Sequence, residues 1–135
     1  MSATDRATIL EEARRWWAVA TEDLRVAWAC LAMDPPSPGN AAYHCQQSAE
    51  KAMKGLLVAA GVSFRKIHDL DELANVAAPL YPALAADLDQ CRPFTSWATE
   101  YRYPPEDESP PPSAEAISEA IEILRRLLAA VPQVG

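Results

Sequence analysis

Residues 41–60, AAYHCQQSAEKAMKGLLVAA, decide the fold because they form one long helical pattern with two contrasting sides. At 100° per residue, the polar side is a narrow stripe that is flanked by His44 and Lys51. The members of this stripe are Tyr43, Gln47, Glu50 and Lys54. The apolar side consists of Ala49, Ala52, Leu56 and Ala60. Because Gly61 follows in the position that usually ends a helix, the stretch predicts a helix over 41–60 that packs its apolar side against other helices.

Four further segments predict the rest of a helical protein. The first, 4–32, repeats apolar residues at three- and four-residue steps and ends at the breaker run 34–40, DPPSPGN. Its stripe is Ile9, Ala13, Trp16, Ala20, Leu24, Ala27 and Leu31. The third helix begins near Asp69 and ends before Pro79, and the fourth spans 83–101. Pro93 lies inside the fourth, which predicts either a kink or two shorter helices. The last helix begins after Ser113, a good N-cap that follows the proline- and acid-rich loop 104–112.

These segments predict an all-α protein, an up-and-down antiparallel bundle of four to five helices that forms a single domain over residues 1–135. The connections are short, so consecutive helices should run in opposite directions. The end of the second helix, the start of the third and the end of the fourth then meet at one pole of the bundle.

Composition and charge restrict the function further. The formal net charge of −7 argues against binding nucleic acid, except through a local basic pocket. The charged start and the shortness of the most apolar run predict neither a signal peptide nor a membrane span. The three cysteines form no CxxC pair and are expected to be reduced thiols, so we expect a cytoplasmic protein.

Taken one at a time, the polar residues can be explained by ordinary structural roles. The stripe on 41–60 fits a solvated face that carries a Glu50–Lys54 pair. Asp69 fits a helix cap, with His68 either incidental or a pH-sensitive or catalytic group. Arg102 fits the favourable position of a cation near a helix C-terminus. No zinc-ligand spacing and no nucleophile–histidine–acid triad is present, so we predict neither a metal nor a cofactor.

Taken together, the stretches 42–54 (AYHCQQSAEKAMK), 68–70 (HDL) and 101–104 (YRYP), with Gly61 between the first two, resemble the HEPN domain family. The resemblance covers nearly the whole chain. It implies a four- or five-helix bundle, often dimeric, and frequently encoded beside a minimal nucleotidyltransferase in a two-component or toxin–antitoxin pair. Some branches of the family are metal-independent ribonucleases that use an R-x(4–6)-H motif.

This sequence departs from the nuclease motif, because Arg65 precedes His68 by only three positions and no arginine stands at the required distance before His44. The chain therefore resembles the non-nuclease-like branch, which implies a non-catalytic module that binds a nucleotide, a separate nucleotidyltransferase, or both. The residues expected to bind the ligand or partner are Gln47, Glu50, Lys51, Lys54, His68, Asp69, Arg102 and Tyr103. Two alternatives stay open. One is a ribonuclease toxin with a degenerate site built on His68 and Arg102. The other is a purely structural bundle that dimerises through the aromatic-rich first helix, with polar residues that lock the helices together.

The tryptophans of the first helix predict a homodimer. Trp16 and Trp17 point about 100° apart, so with Trp28 they give that helix more bulky apolar surface than one stripe needs. A dimer interface along the first helix would bury the surplus.

Overall fold

The computed structural model describes residues 2–64, 67, 69–98 and 110–134, with the backbone alone for 133 and 134. Within these residues the chain is helical and contains no strand. The α-helices are α1 (Ala3–Ala32), α2 (Pro38–Ala59), α3 (Leu70–Leu80), α4 (Ala85–Cys91) and α5 (Ala114–Ala130). Short 3₁₀ helices are formed by Pro82–Leu84, Arg92–Trp97 and Val131–Val134. The predicted all-α bundle is confirmed.

The helix ends follow from the capping residues. Ser2 Oγ accepts a hydrogen bond from the Asp5 backbone N–H, and Ser113 Oγ accepts one from the Ala116 N–H. Gly61 has a φ of 71°, a conformation that suits glycine, and its N–H donates to the Val58 carbonyl just past the end of α2. The predicted stop at Gly61 and cap at Ser113 are therefore both observed.

Two predicted helix boundaries were wrong. Helix α3 does not end before Pro79 but continues to Leu80, and a proline in the last turn removes only one hydrogen bond. Helix α2 starts at Pro38 instead of residue 41, because proline in the first turn of a helix lacks only an N–H that would be unpaired anyway. At Pro93 the chain adopts the second of the two alternatives, with α4 ending at Cys91 and a 3₁₀ helix following.

Helix α2 lies at the centre of the bundle. It packs along α1 and also contacts α3, α5 and the 3₁₀ helix Arg92–Trp97. The largest side chains of the core come from α2 and its neighbours. They include Met53, Leu56, Leu57, Leu70, Leu73, Leu88, Ile117, Leu124 and Leu127. A helix that is covered on so many sides has little surface left for solvent, and this decides the environment of its polar residues.

Helix α1 faces α2 with small residues. Ala13, Ala20 and Ala27 are completely buried, and Trp17 is the one large side chain of α1 that is buried with them. The sequence pattern placed Trp16 in the buried stripe, but Trp16 is only half-buried, so this assignment was wrong by one residue. Small residues allow two helix axes to approach closely, and the indole of Trp17 then fills the remaining space.

No helix among the described residues is both long enough and apolar enough to span a bilayer.

Candidate functional site

In the polar stripe of α2, Glu50 and Lys54 are buried and Tyr43 and Gln47 are half-buried, so its interpretation as a solvated face was wrong. Glu50 is 6% exposed and Lys54 is 5% exposed. The Lys54 ammonium donates to Glu50 Oε2 over 3.1 Å and lies 5.8 Å and 5.6 Å from the ring centroids of Trp16 and Phe64. Trp16 and Phe64 contact each other edge to face and cover the pair, so the charges are removed from water. The predicted Glu50–Lys54 ion pair is present, but in an apolar setting.

Two glutamines extend this pair. Gln46, which is completely buried, donates through Nε2 to Glu50 Oε1 over 3.2 Å. Gln47 donates in turn to Gln46 Oε1 over 2.6 Å. We call these four residues, Gln46, Gln47, Glu50 and Lys54, the Glu50 network. Buried polar groups are stable only when they are hydrogen-bonded, and these contacts give each of the four residues a partner on the same helix.

A second cluster joins α1 to α2 and was not predicted. Asp23, 9% exposed, accepts from the ring nitrogen Nδ1 of His44 over 2.9 Å and from the Lys51 ammonium over 2.6 Å. Since a carboxylate only accepts, the His44 proton in this contact sits on Nδ1. We call these three residues the Asp23 triad. The sequence does contain a signal for it, because Asp23 interrupts the spacing of buried alanines between Ala20 and Ala27.

The seam between α1 and α2 also contains hydrogen bonds to the backbone. The Trp17 indole N–H donates to the Ala52 carbonyl over 3.2 Å, and the Ser48 hydroxyl donates to the Ala20 carbonyl over 2.8 Å. Gly55 permits the first of these contacts, because a Cβ at that position would lie 2.3 Å from Trp17 Nε1. These contacts fix the rotation of α2 about its axis, and with it the direction in which the Glu50 network and the Asp23 triad face.

The pole predicted from topology is present in part. The Leu70 N–H at the start of α3 donates to the Thr95 hydroxyl over 2.8 Å, which ties that helix start to the 3₁₀ helix after α4. Asp69 is exposed and accepts from the Asp71 N–H over 2.8 Å, as predicted for a capping acid. Among the described residues, no hydrogen bond or ion pair links Asp69 to Lys54. The remaining predicted site residues, His68, Arg102 and Tyr103, lie outside the described residues.

The cysteines add no reactive group to the α2 core. They form no disulfide, and burial raises the pKa of Cys45 and Cys91 to about 12. Burial also raises the pKa of the half-buried Cys30. A thiol that stays protonated is a poor nucleophile, so these side chains act as small apolar residues. Over the described part of the chain, no three histidine, cysteine or acidic side chains are grouped so that they could hold a metal ion.

Comparison with known proteins finds one family sequence model and one solved structure that this chain resembles. The sequence model of the HEPN domain matches residues 13–134, which run from the first buried alanine of α1 to the end of the last 3₁₀ helix. Among solved structures, the chain is similar to TT1696 from Thermus thermophilus, a crystal structure with a TM-score of 0.67 and 26% sequence identity. That similarity covers 90% of this chain and 96% of the other. No curated protein matches the sequence.

Proposed function

Since the chain belongs to the HEPN domain family, we propose that it is a non-catalytic binding module that serves as the partner subunit of a separate minimal nucleotidyltransferase, in a two-component system of the toxin–antitoxin kind. The observation that carries the proposal is the burial of Lys54 and Glu50 against each other. A ribonuclease needs a cation that faces the phosphate and a group that transfers a proton to the substrate. Lys54 is turned inward instead, under Trp16 and Phe64.

The burial of Glu50 and Lys54 would also help the module to bind its partner subunit. A satisfied polar network inside a packed helix pair is rigid, so it holds the groups around it in fixed positions. The binding surface that we propose is the pole at the end of α2 and the start of α3, with Asp69 exposed there. His68, Arg102 and Tyr103 belong to this surface by their place in the sequence pattern. The Glu50 network lies beneath the surface and supports it.

The test is co-expression with a minimal nucleotidyltransferase of the same genome, followed by measurement of the affinity of the purified complex. Asp69→Ser removes the charge but keeps a good N-cap, and Arg102→Ala removes the cation. Both should weaken the complex, whereas Glu119→Ser on the exposed face of α5 should leave it unchanged. The absence of any complex at tens of micromolar would overturn the proposal.

Nucleotide binding at the same pole is a second candidate, and a specific observation favours it. Trp16 and Phe64 are half-buried rings in contact with each other, with centroids 5.8 Å and 5.6 Å from the Lys54 ammonium, and a base can stack on such rings while a phosphate meets the cation. Since Glu50 already neutralises Lys54, a phosphate would have to compete with that pair. A bound nucleotide at a hundred times its Kd should add about 2.7 kcal/mol of stability.

A thermal-shift screen against adenine and guanine mono-, di- and triphosphates tests this candidate. Lys54→Met keeps the apolar stem of the side chain and removes the charge, so it should abolish a nucleotide shift without exposing a cavity. No shift with any nucleotide would reject the candidate and leave the protein partner as the ligand. Cleavage of RNA at micromolar protein, lost in His68→Ala, would instead overturn the non-catalytic proposal as a whole.

A further inference from the structure

A groove lies between α5 on one side and α4 with the 3₁₀ helix Arg92–Trp97 on the other. It has a volume of about 900 Å³, and most of its lining is apolar. An aromatic pair forms the first wall, because the rings of Phe94 and Trp97 stack with 4.7 Å between centroids and 15° between planes. Phe94 is buried and Trp97 is half-buried, so part of the indole remains exposed at the groove. A ligand in the groove would therefore meet aromatic surface.

Helix α5 forms the second wall with two rows of side chains. The row that is less exposed is apolar and consists of Ala116, Ala120 and Ile123. The row that is exposed is acidic and consists of Glu115, Glu119 and Glu122. Both rows repeat at steps of four and three residues, so each row follows one face of the helix. The two alanines are small, and a larger side chain at either position would fill part of the groove.

The acidic row carries charge that the described part of the chain does not neutralise. Glu122 has an arginine of its own helix at 2.7 Å, and Arg126, which also lines the groove, pairs with Asp87 at 3.2 Å. The side chains of Glu115 and Glu119 form no ion pair or hydrogen bond with the described residues. Two carboxylates without a cation therefore stand at the edge of an apolar groove.

These features favour a ligand that is both cationic and apolar. An arginine guanidinium stacks on aromatic rings and donates paired hydrogen bonds to carboxylates, and the groove offers both partners on facing walls. Apolar side chains at helical spacing fit the space between the aromatic pair and the alanines of α5. A second copy of this chain is disfavoured, because the chain has a formal net charge of −7. Nucleic acid is disfavoured for the same reason.

We propose that the groove between the Phe94–Trp97 pair and α5 is the docking surface for an arginine-bearing amphipathic helix of another protein. The apolar face of that helix enters the groove, and its arginines meet Glu115 and Glu119 at the edge. The proposal goes beyond the proposed function and does not depend on it. The nucleotidyltransferase complex at the α2–α3 pole should tolerate a change at Glu119, whereas binding in the groove should not, so either idea can fail alone.

Titration of a fluorescently labelled peptide, followed by anisotropy, tests the proposal on the full chain. The probe is a synthetic helix of about 16 residues, with leucine at every third or fourth position and arginines beside the leucines. We expect binding in the micromolar range that weakens as salt is added, because salt screens exposed charges. A scrambled peptide of the same composition keeps the charge but loses the apolar face, so it should bind about tenfold more weakly or worse.

Two variants separate the contribution of charge from that of shape. Glu115→Gln with Glu119→Gln removes both carboxylates and should weaken peptide binding about tenfold, the effect of two exposed ion pairs. The matched control, Glu12→Gln with Glu72→Gln, removes the same charge from exposed positions of α1 and α3 and should leave the affinity unchanged. Ala116→Leu narrows the groove without changing its charge and should also weaken binding. Cooperative thermal unfolding of each variant establishes that it is folded.

Chemical shifts measured by NMR show where the peptide binds. The indole N–H of Trp97 and the backbone amides of Ala116, Ala120 and Ile123 should shift as the peptide is added. Shifts confined to the α2–α3 pole would overturn the proposal. So would a peptide that does not bind at several hundred micromolar, a scrambled peptide that binds equally well, or an unchanged affinity in the Glu115→Gln, Glu119→Gln variant.

Discussion

Gly55→Ala tests the close approach of α1 and α2. The new methyl group would lie 2.3 Å from Trp17 Nε1 and 2.6 Å from Trp17 Cδ1, distances at which atoms cannot remain. The indole must move or the two helices must separate, and either change breaks the Trp17 hydrogen bond to the Ala52 carbonyl. The neighbour is a large ring that is only 6% exposed, so it has little space into which it can shift.

The magnitude follows from three contributions. Overpacking a well-packed core costs about 1–3 kcal/mol. A buried N–H that loses its acceptor costs about 1–3 kcal/mol more. Replacing glycine by alanine inside a helix stabilises that helix by about 1 kcal/mol, which offsets part of these two costs. We therefore expect Gly55→Ala to lower the free energy of unfolding by about 3 kcal/mol, which is a large fraction of the stability of an ordinary domain.

Urea unfolding followed by circular dichroism and by tryptophan fluorescence measures this loss. Ala18→Gly, on the exposed side of α1, calibrates the propensity contribution in the same protein. In a Trp17→Phe background the clash with the indole nitrogen is gone, so the cost of Gly55→Ala should shrink, and a double-mutant cycle reports the coupling. A Gly55→Ala protein as stable as wild type would refute the reasoning about close approach.

Three further predictions follow from the buried polar and thiol groups. Asp23→Asn should cost about 1–3 kcal/mol by urea unfolding, because it weakens two short contacts, whereas Glu22→Gln next to it on the exposed side should change little. In the native protein, iodoacetamide should modify Cys30 before Cys45 and Cys91, as mapped by mass spectrometry, and modification of all three at one rate would contradict the observed burial. Burial raises the pKa of Cys45 and Cys91 to about 12 from an ordinary value near 9. Between these two pH values the folded protein keeps the thiol protons that the unfolded chain releases. The stability that the neutral thiols contribute is therefore complete below pH 9 and is lost as the pH rises toward 12. The free energy of unfolding should fall across that window, and it should fall less steeply after both cysteines are changed to alanine.

The helices could be predicted from the sequence because their signals are local. Apolar spacing located each helix, and Ser113, Asp69 and Gly61 marked three of the ends correctly. Pro79 was misread because proline near a helix C-terminus costs one hydrogen bond, which packing of the final turn can offset.

The environment of the polar stripe could not be predicted because burial depends on the whole bundle. Periodicity shows which side of α2 is polar, but not that Trp16 and Phe64 cover it. Phe64 lies beyond the helix, in a segment without periodic spacing, so nothing local connects it to Lys54. Asp23 was missed for a related reason, since its partners His44 and Lys51 are distant in sequence.

The central position of α2 has a consequence for hydrogen exchange. Its amide protons are bonded within a helix that is buried along most of its length, so opening them locally would expose α1, α3 and α5 at once. These protons should therefore exchange only when the entire domain unfolds, and their rates give its global stability without denaturant. Helix α4 has only seven residues and the 3₁₀ helix after it six, so both should exchange by smaller openings. The amide protons that exchange most slowly should therefore be those of α2, the helix whose sequence decides the fold.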